Sequence, residues 1–268
     1  MESHDLNLMD FDTLHALLAW QVELGATEAI TDAPVNRYEI PKPAPVVAAV
    51  APVVGAARRV SFDPIAPPDP VALARAAVAG VGDLAGLRAA IEAFEGCELK
   101  KGARNTVFAD GLPGARVMVI GEAPGRDEDL AGRPFVGNAG QLLDRMFAAI
   151  AMGRAVQGQG ALYITNILPW RPPENRDPEP AEIAMMMPFV QRHVELARPE
   201  LLVLMGNISC QAVLGRKGIT RLRGQWSEAL GLPVLPMFHP AFLLRNPGAK
   251  REAWADLLSL QARLRGDA

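Results

Sequence analysis

Beyond about residue 110 the hydrophobic positions of this chain fall into two alternating rhythms. Four short apolar runs stand out: RVMVI (Arg116–Ile120), ALYITNILPW (Ala161–Trp170), ELLVLMG (Glu200–Gly206) and PVLPMF (Pro233–Phe238). Each is bounded by glycine, proline or polar residues, the pattern of a strand buried on both faces. Between them lie segments with helical spacing. One begins at Asn138 and carries Leu142, Leu143, Met146, Phe147 and Ile150. A second runs from Glu182 to Ala197 through Met185, Met186 and Met187; a third is short, from Asn207 as its cap to Leu214; the last covers about Lys250 to Leu264. Strands alternating with helices predict an α/β fold, a four-stranded parallel sheet flanked by helices on both faces.

Upstream the pattern changes. Leu73–Val78 and Asp83–Phe94 are alanine-rich helix candidates, the second capped by Asp83. From Asp32 to Pro70, nine of the 23 prolines are interleaved with alanine and valine, which predicts an extended linker. Before it, Leu14, Leu17, Leu18, Val22 and Leu24 form one face of an amphipathic helix that begins at Asp10 or Asp12 and stops at Gly25. His15 sits on or beside that face as a packing residue. The expected organisation is a helix within 1–31, a Pro/Ala-rich linker over 32–70 and an α/β domain over 71–268.

Composition narrows the class. At 268 residues, half of them hydrophobic, the chain can bury one sizeable core with an appendage. There is no run of 18 apolar residues, and the first ten residues, MESHDLNLMD, lack a basic stretch, so neither a membrane span nor a secretory signal is expected. Two cysteines, Cys97 and Cys210, fit a reducing cytoplasm rather than a disulfide framework, and Cys210 reads as a small core residue. The net charge of −3 conceals an asymmetry. Residues 1–99 hold 6 basic and 14 acidic side chains, a net of −8, and residues 100–268 hold 21 and 16, a net of +5. A basic portion of this kind suits a polyanion partner, although drift of surface charge produces the same signal.

The chemistry concentrates in GEAPGRDEDLAGRPFVGNAG, Gly121–Gly140. Gly121, Pro124 and Gly125 force a turn at the end of the first strand, the usual ligand position in an open α/β sheet. Glu122, Asp127, Glu128 and Asp129 make the loop acidic and exclude a phosphate cradle, and neither GxGxxG nor GKS/GKT is present. The same residues also fit an ordinary solvated loop. In a parallel sheet the carboxyl ends of the strands share an edge, so Glu122, Glu128, Phe135, Asn166 and His239 are brought towards one pocket. An aromatic ring, an amide, a histidine and carboxylates together suit a planar, hydrogen-bonding ligand such as a nucleobase. Taken singly, Asn166 could cap a turn, Phe135 could be core and His239 a structural loop residue.

Four segments in this order, GEAPGRDEDLAGRPFVGNAG, YITNILPWRPPENRDP, ITRLRGQW and FHPAFLLRNP, resemble the successive motifs of family 4 uracil-DNA glycosylases over roughly residues 85–265. The resemblance implies a monofunctional enzyme that hydrolyses the N-glycosidic bond of deoxyuridine in DNA, acting as a monomer. It implies that Phe135 stacks on the flipped uracil and Asn166 reads its amide edge. His239, if neutral, donates to O2. The backbone N–H groups of Glu122 and Ala123 help hold the same edge, Gly121 and Gly125 are further substrate-binding positions, and Glu128 guards C5. Related families place a catalytic aspartate where this chain has Ala123, which leaves Glu122 or Glu128 to orient water, or leaving-group stabilisation alone. Arg216, Lys217, Arg221 and Arg223, four cations in eight residues, with Arg245, are the expected phosphate contacts.

The chain departs from the family at its iron–sulfur cluster. The four cysteine positions correspond to Cys97, Lys100, Trp170 and Met186, so Cys₄ ligation is excluded and no cofactor is expected. A related variant traps its product through a histidine in the loop matching Lys217–Gly224; none is present here, so no adduct is expected. A non-catalytic DNA- or nucleotide-binding module of the same fold, and a glycosylase for another base such as hypoxanthine, are the alternatives.

Overall fold

The computed structural model describes His15 and residues 69–266. The chain separates into two units, Met1–Asp63 and Pro64–Ala268, and the second holds every strand of the sheet. The expected amino-terminal helix and most of the proline-rich segment lie outside the described residues, except for His15, which is helical and exposed.

Two helices open the second unit, α1 (Pro70–Val78) and α2 (Leu84–Ala93). Asp69 and Asp83 cap them, accepting from the backbone N–H of Val71 at 3.0 Å and of Gly86 at 2.7 Å. Each cap satisfies one of the amide groups that the first turn of a helix leaves without a partner. The short α3 (Leu99–Gly102) and β1 (Asp110–Gly111) follow, then β2 (Val117–Gly121), α4 (Arg126–Ala131) and α5 (Asn138–Ala148). Next come β3 (Leu162–Asn166), the long α6 (Pro180–Ala197), β4 (Leu201–Met205), α7 (Asn207–Leu214) and α8 (Ile219–Leu222). The chain continues with β5 (Ser227–Ala229), β6 (Leu232–Met237), α9 (Pro240–Arg245) and α10 (Lys250–Arg265).

The sheet has six strands in the order β1-β3-β2-β4-β6-β5. The four expected strands form its parallel centre, β3-β2-β4-β6. Two edge strands are additions to the expected sheet: β1 pairs antiparallel with β3, and β5 with β6. They have two and three residues respectively, too few for any periodicity to show in the sequence. Short edges of this kind limit the unpaired backbone offered to other chains.

Alternate side chains of each central strand enter different cores. Met118 and Ile120 of β2 pack in the cluster that contains Leu87, Phe189 and Cys210, whereas Val117 and Val119 pack with Leu143, Phe147, Leu257 and Leu260. Thus α1, α2, α6 and α7 supply one face, and α5 and α10 the other. One buried polar pair is accommodated in the first core: Tyr163 Oη and His193 Nε2 lie 2.9 Å apart, with the His193 ring stacked on Phe108. Burial lowers the pKa of His193 to about 4, so it is a neutral member of the core.

Chain order sets where a ligand can sit. From β2 the chain first adds β3 on one side and then crosses to β4 on the other, so β2 and β4 flank a topological switch point. Loops diverge there at the carboxyl ends of the strands and leave a crevice. No helix among the described residues is long and apolar enough to cross a membrane.

Candidate active site

A pocket of about 540 Å³ occupies that crevice. It is lined from β2 by Glu122, Ala123 and Gly125, from β3 by Asn166, from β4 by Gly206 and Asn207, and from β6 by Phe238 and His239. Phe135 completes it from the loop between α4 and α5. The structure therefore brings together Glu122, Glu128, Phe135, Asn166 and His239.

The floor depends on Gly121. It pairs with Asn166 across β2 and β3, and a Cβ at this position would overlap both the Asn166 amide oxygen and the Phe135 ring. A side chain here would push out the two groups that define the pocket. The Phe135 and His239 rings face each other with centroids 5.5 Å apart and a 30° tilt.

Three polar groups in the pocket have no hydrogen-bond partner among the described residues: the Glu122 carboxyl, the Asn166 amide and Nε2 of His239. Among the described residues every fully buried side-chain nitrogen or oxygen has a partner, so these three are open to solvent, and together around one pocket they leave their hydrogen-bonding capacity to a ligand. The state of His239 follows from its neighbours. Its Nδ1 accepts the backbone N–H of Ala241 at 3.1 Å, capping α9. A nitrogen that accepts carries no proton, so the neutral ring holds its proton on Nε2. Burial, with the charge of Arg245 assisting and that of Glu128 opposing, lowers the His239 pKa to about 4. Glu122 is shifted the other way: burial, then repulsion from Asp177, pushes its pKa up to about 7.

The two carboxylates considered for orienting water are thereby separated. Glu128 lines the pocket, but its Oε1 accepts from the N–H groups of Val136 and Gly137, both at 3.0 Å, and its Oε2 from Gly125 at 3.1 Å. It braces the two ends of the loop, and its oxygens are already engaged. Asp129 has a comparable structural task, accepting from the backbone of Arg104 at 2.9 Å and Asn105 at 3.1 Å. Of the two candidates, only Glu122 has free oxygens.

The cations divide similarly. Arg216, Lys217, Arg221 and Arg245 are exposed, and Arg245 lines the pocket mouth. Arg223, expected as a phosphate contact, is less exposed and is engaged within the fold. Its guanidinium pairs with buried Asp256, donates to the carbonyl of Glu252 at 2.9 Å and lies over the Phe238 ring. Arg223 clasps α10 to the sheet. Asn207 calls for a correction. It does not cap α7, where Gly206 at φ 95° is the cap residue; its Oδ1 instead accepts from Gly218 at 3.0 Å and Ile219 at 2.8 Å, fixing the loop that carries Arg216 and Lys217.

Sequence reasoning missed the opposite wall, Pro172, Asn175, Arg176 and Asp177, together with Phe242. The segment RPPENRDP reads only as a turn. It follows directly from the strand that ends at Asn166, and that connection alone places it at the pocket edge.

The donor set does not fit a four-iron cluster. Cys97 is buried, and burial raises its pKa, which favours the neutral thiol over the thiolate that binds metal. Trp170 and Met186, each 1% exposed, fill the same apolar cluster as Cys97, and the Trp170 indole donates to Thr106 at 3.1 Å. Lys100 does not face this group: its ammonium pairs with Glu95. Phe94 and Phe189 belong to the same cluster and pack edge-on with ring centroids 5.1 Å apart. Among the described residues no group of three or more His, Cys, Asp or Glu could hold a metal ion. The purified protein is accordingly expected to be colourless and folded without iron; stoichiometric iron in elemental analysis would overturn this.

The family model described as the uracil DNA glycosylase superfamily matches residues 108–258. The type-4 uracil-DNA glycosylase of Sulfurisphaera tokodaii is 37% identical over 164 residues, 58% of this chain and 73% of that enzyme. That of Archaeoglobus fulgidus is 37% identical over 171 residues, covering 60% and 82%, and that of Pyrobaculum aerophilum 33% over 190 residues, covering 65% and 91%. Since the matched span takes in every strand of the sheet and every loop that lines the pocket, the chain belongs to the uracil DNA glycosylase superfamily.

Proposed function

We propose that this protein removes uracil from DNA by hydrolysing the N-glycosidic bond, with Phe135, Asn166, His239 and Glu122 as the working residues. The observation that carries the assignment is the set of unpaired polar groups around an aromatic ring in one 540 Å³ pocket. A base inside a duplex is out of reach, so the enzyme extrudes it, at a cost of a few kcal/mol in lost stacking and pairing. The flipped uracil stacks on Phe135. The Asn166 side chain offers its NH2 as a donor to O4 and its carbonyl oxygen as an acceptor for N3–H.

As the C1′–N1 bond breaks, its electron pair leaves with the base, and negative charge develops on O2. The Nε2–H of neutral His239 is the donor for that charge. A donor fixed before the reaction needs no reorganisation as charge appears, which makes such groups effective in catalysis. Water adds to C1′, and its proton passes to ionised Glu122. The products are an abasic site and the uracil anion, which takes up one proton as it departs while protonated Glu122 gives its own up, so that one water is consumed and the carboxylate is restored.

The direct test is an excision assay on duplexes with uracil, hypoxanthine or a mismatched thymine. Release of uracil is expected; release of hypoxanthine alone, or of no base, would overturn the proposal.

The DNA track follows from the exposed cations. Each phosphate-contacting residue lost should lower the salt slope of binding by about 1, independently of sequence. An Arg216→Ala/Arg221→Ala double variant is expected to bind more weakly at moderate salt, with a visibly flatter plot of log K against log[salt]. An unchanged slope would place the track elsewhere. Arg223 is unsuitable for this test, because its loss would strand buried Asp256.

A further inference from the structure

Phe135 is held in a backbone conformation that its sequence does not favour. Its φ is 54°, in the left-handed region, although it is a bulky aromatic residue and 5% exposed. Such a conformation persists only where the surroundings over-determine it. One constraint is steric. The Phe135 carbonyl lies against α5 at Gly140, where any Cβ would overlap it. The other is Arg154, nineteen residues further along and outside every segment of the pocket lining.

Arg154 lies beyond α5, with its side chain 16% exposed. Its Nη2 donates to the Phe135 carbonyl at 2.9 Å, and Nη1 donates to the Pro134 carbonyl at 2.9 Å and to Asp110 Oδ2 at 2.7 Å. Its Nε donates to Asp144 Oδ1 at 2.9 Å. One planar guanidinium thus joins two consecutive carbonyls of the pocket loop to strand β1 and helix α5. Both carboxylates orient the fork, and the fork in turn fixes the peptide on either side of the Phe135 Cα.

We propose that Arg154 is a positioning residue for base recognition: it locks Phe135 in its left-handed conformation and so sets the plane on which the flipped base stacks. This rests on the uracil reading of the pocket. The guanidinium touches neither substrate nor reacting atoms and acts only through the Phe135 backbone. Lysine is not a substitute, because a single ammonium cannot span two carbonyls and two carboxylates with the geometry of a planar fork.

The test uses the full-length protein with Arg154→Gln, Arg154→Lys, Phe135→Ala and the Arg154→Gln/Phe135→Ala pair. Four quantities are read: single-turnover uracil excision, inhibition by free uracil, affinity for abasic-site DNA and melting temperature. Arg154→Gln and Arg154→Lys should each weaken free-uracil inhibition and slow excision by about tenfold. Affinity for abasic DNA, which leaves the base pocket empty, should be unchanged. On the Phe135→Ala background, Arg154→Gln should add no further loss, because residues that act through one another are non-additive.

A lower melting temperature with wild-type uracil inhibition, or losses that add in full in the pair, would overturn the proposal. If Arg154→Gln does not fold, Asp110→Asn carries the same test, since it loosens the fork while leaving Arg154 in place. The two readings fail separately. A wild-type protein that releases no uracil refutes the function, whereas an active wild type whose Arg154 variants inhibit normally refutes only the positioning role.

Discussion

Replacing His239 with alanine is expected to lower the single-turnover rate of uracil excision by about 10²–10³, the usual cost of losing one donor to a developing anion. The size of the effect follows from how the ring is prepared. Ala241 N–H occupies Nδ1, so the proton is on Nε2 and faces the pocket. With a pKa of about 4, the ring is neutral across the working pH range. A neutral donor holds the leaving uracil anion without keeping the proton needed elsewhere, and no ionisation of His239 should appear in the pH profile above about pH 5. Asn166→Ala should fall by a similar factor, because the Asn166 amide supplies both contacts to the base edge. Neither change touches the exposed cations, so affinity for undamaged DNA should stay as in the wild type. A His239→Ala protein with a wild-type single-turnover rate would remove the histidine from the mechanism.

Glu122→Gln should cost about 10²–10⁴, the range for loss of a general base, and should also change the form of the pH profile. The carboxyl titrates at about 7 because it is buried and faces Asp177. Only its ionised form accepts a proton from water. The wild-type rate should therefore rise with pH, tenfold per unit well below 7, bend near 7 and level off above it. Raising the pKa favours the protonated acid, so the active fraction is lost as pH falls. In Glu122→Gln the remaining rate should be low and flat across this range. Asp177→Asn removes the repulsion while retaining the Glu122 carboxylate, so the bend should move to lower pH. A slope that persists in Glu122→Gln would assign the titration to another group, and a bend that stays put in Asp177→Asn would show that the two carboxylates do not interact.

The parallel centre of the sheet was legible in the sequence because a strand buried on both faces must be apolar along its whole length. Val117–Gly121 and Leu201–Met205 carry that signature throughout, Leu162–Asn166 over its first three residues and Leu232–Met237 over its buried last four. The edge strands were not legible, because two or three residues paired on one side need no pattern of their own. Chain connectivity also placed Phe135, Asn166 and His239 at one sheet edge, since Asn166 ends β3 and the other two lie in the segments that follow β2 and β6.

What each charged residue does was decided only by tertiary structure. Glu122 and Glu128 share one acidic loop, yet one faces the pocket with free oxygens while the other is held by three backbone N–H groups. Arg221 and Arg223 share one basic loop, yet one is exposed and the other is locked to Asp256, 33 residues away. Arg154 drew no attention in the sequence, because its partners lie 10, 19, 20 and 44 residues away. Hydrophobic burial acts residue by residue and leaves a periodic trace along the chain. A charge takes its meaning from whichever partner folding brings within about 3 Å, and that partner's distance in sequence is arbitrary.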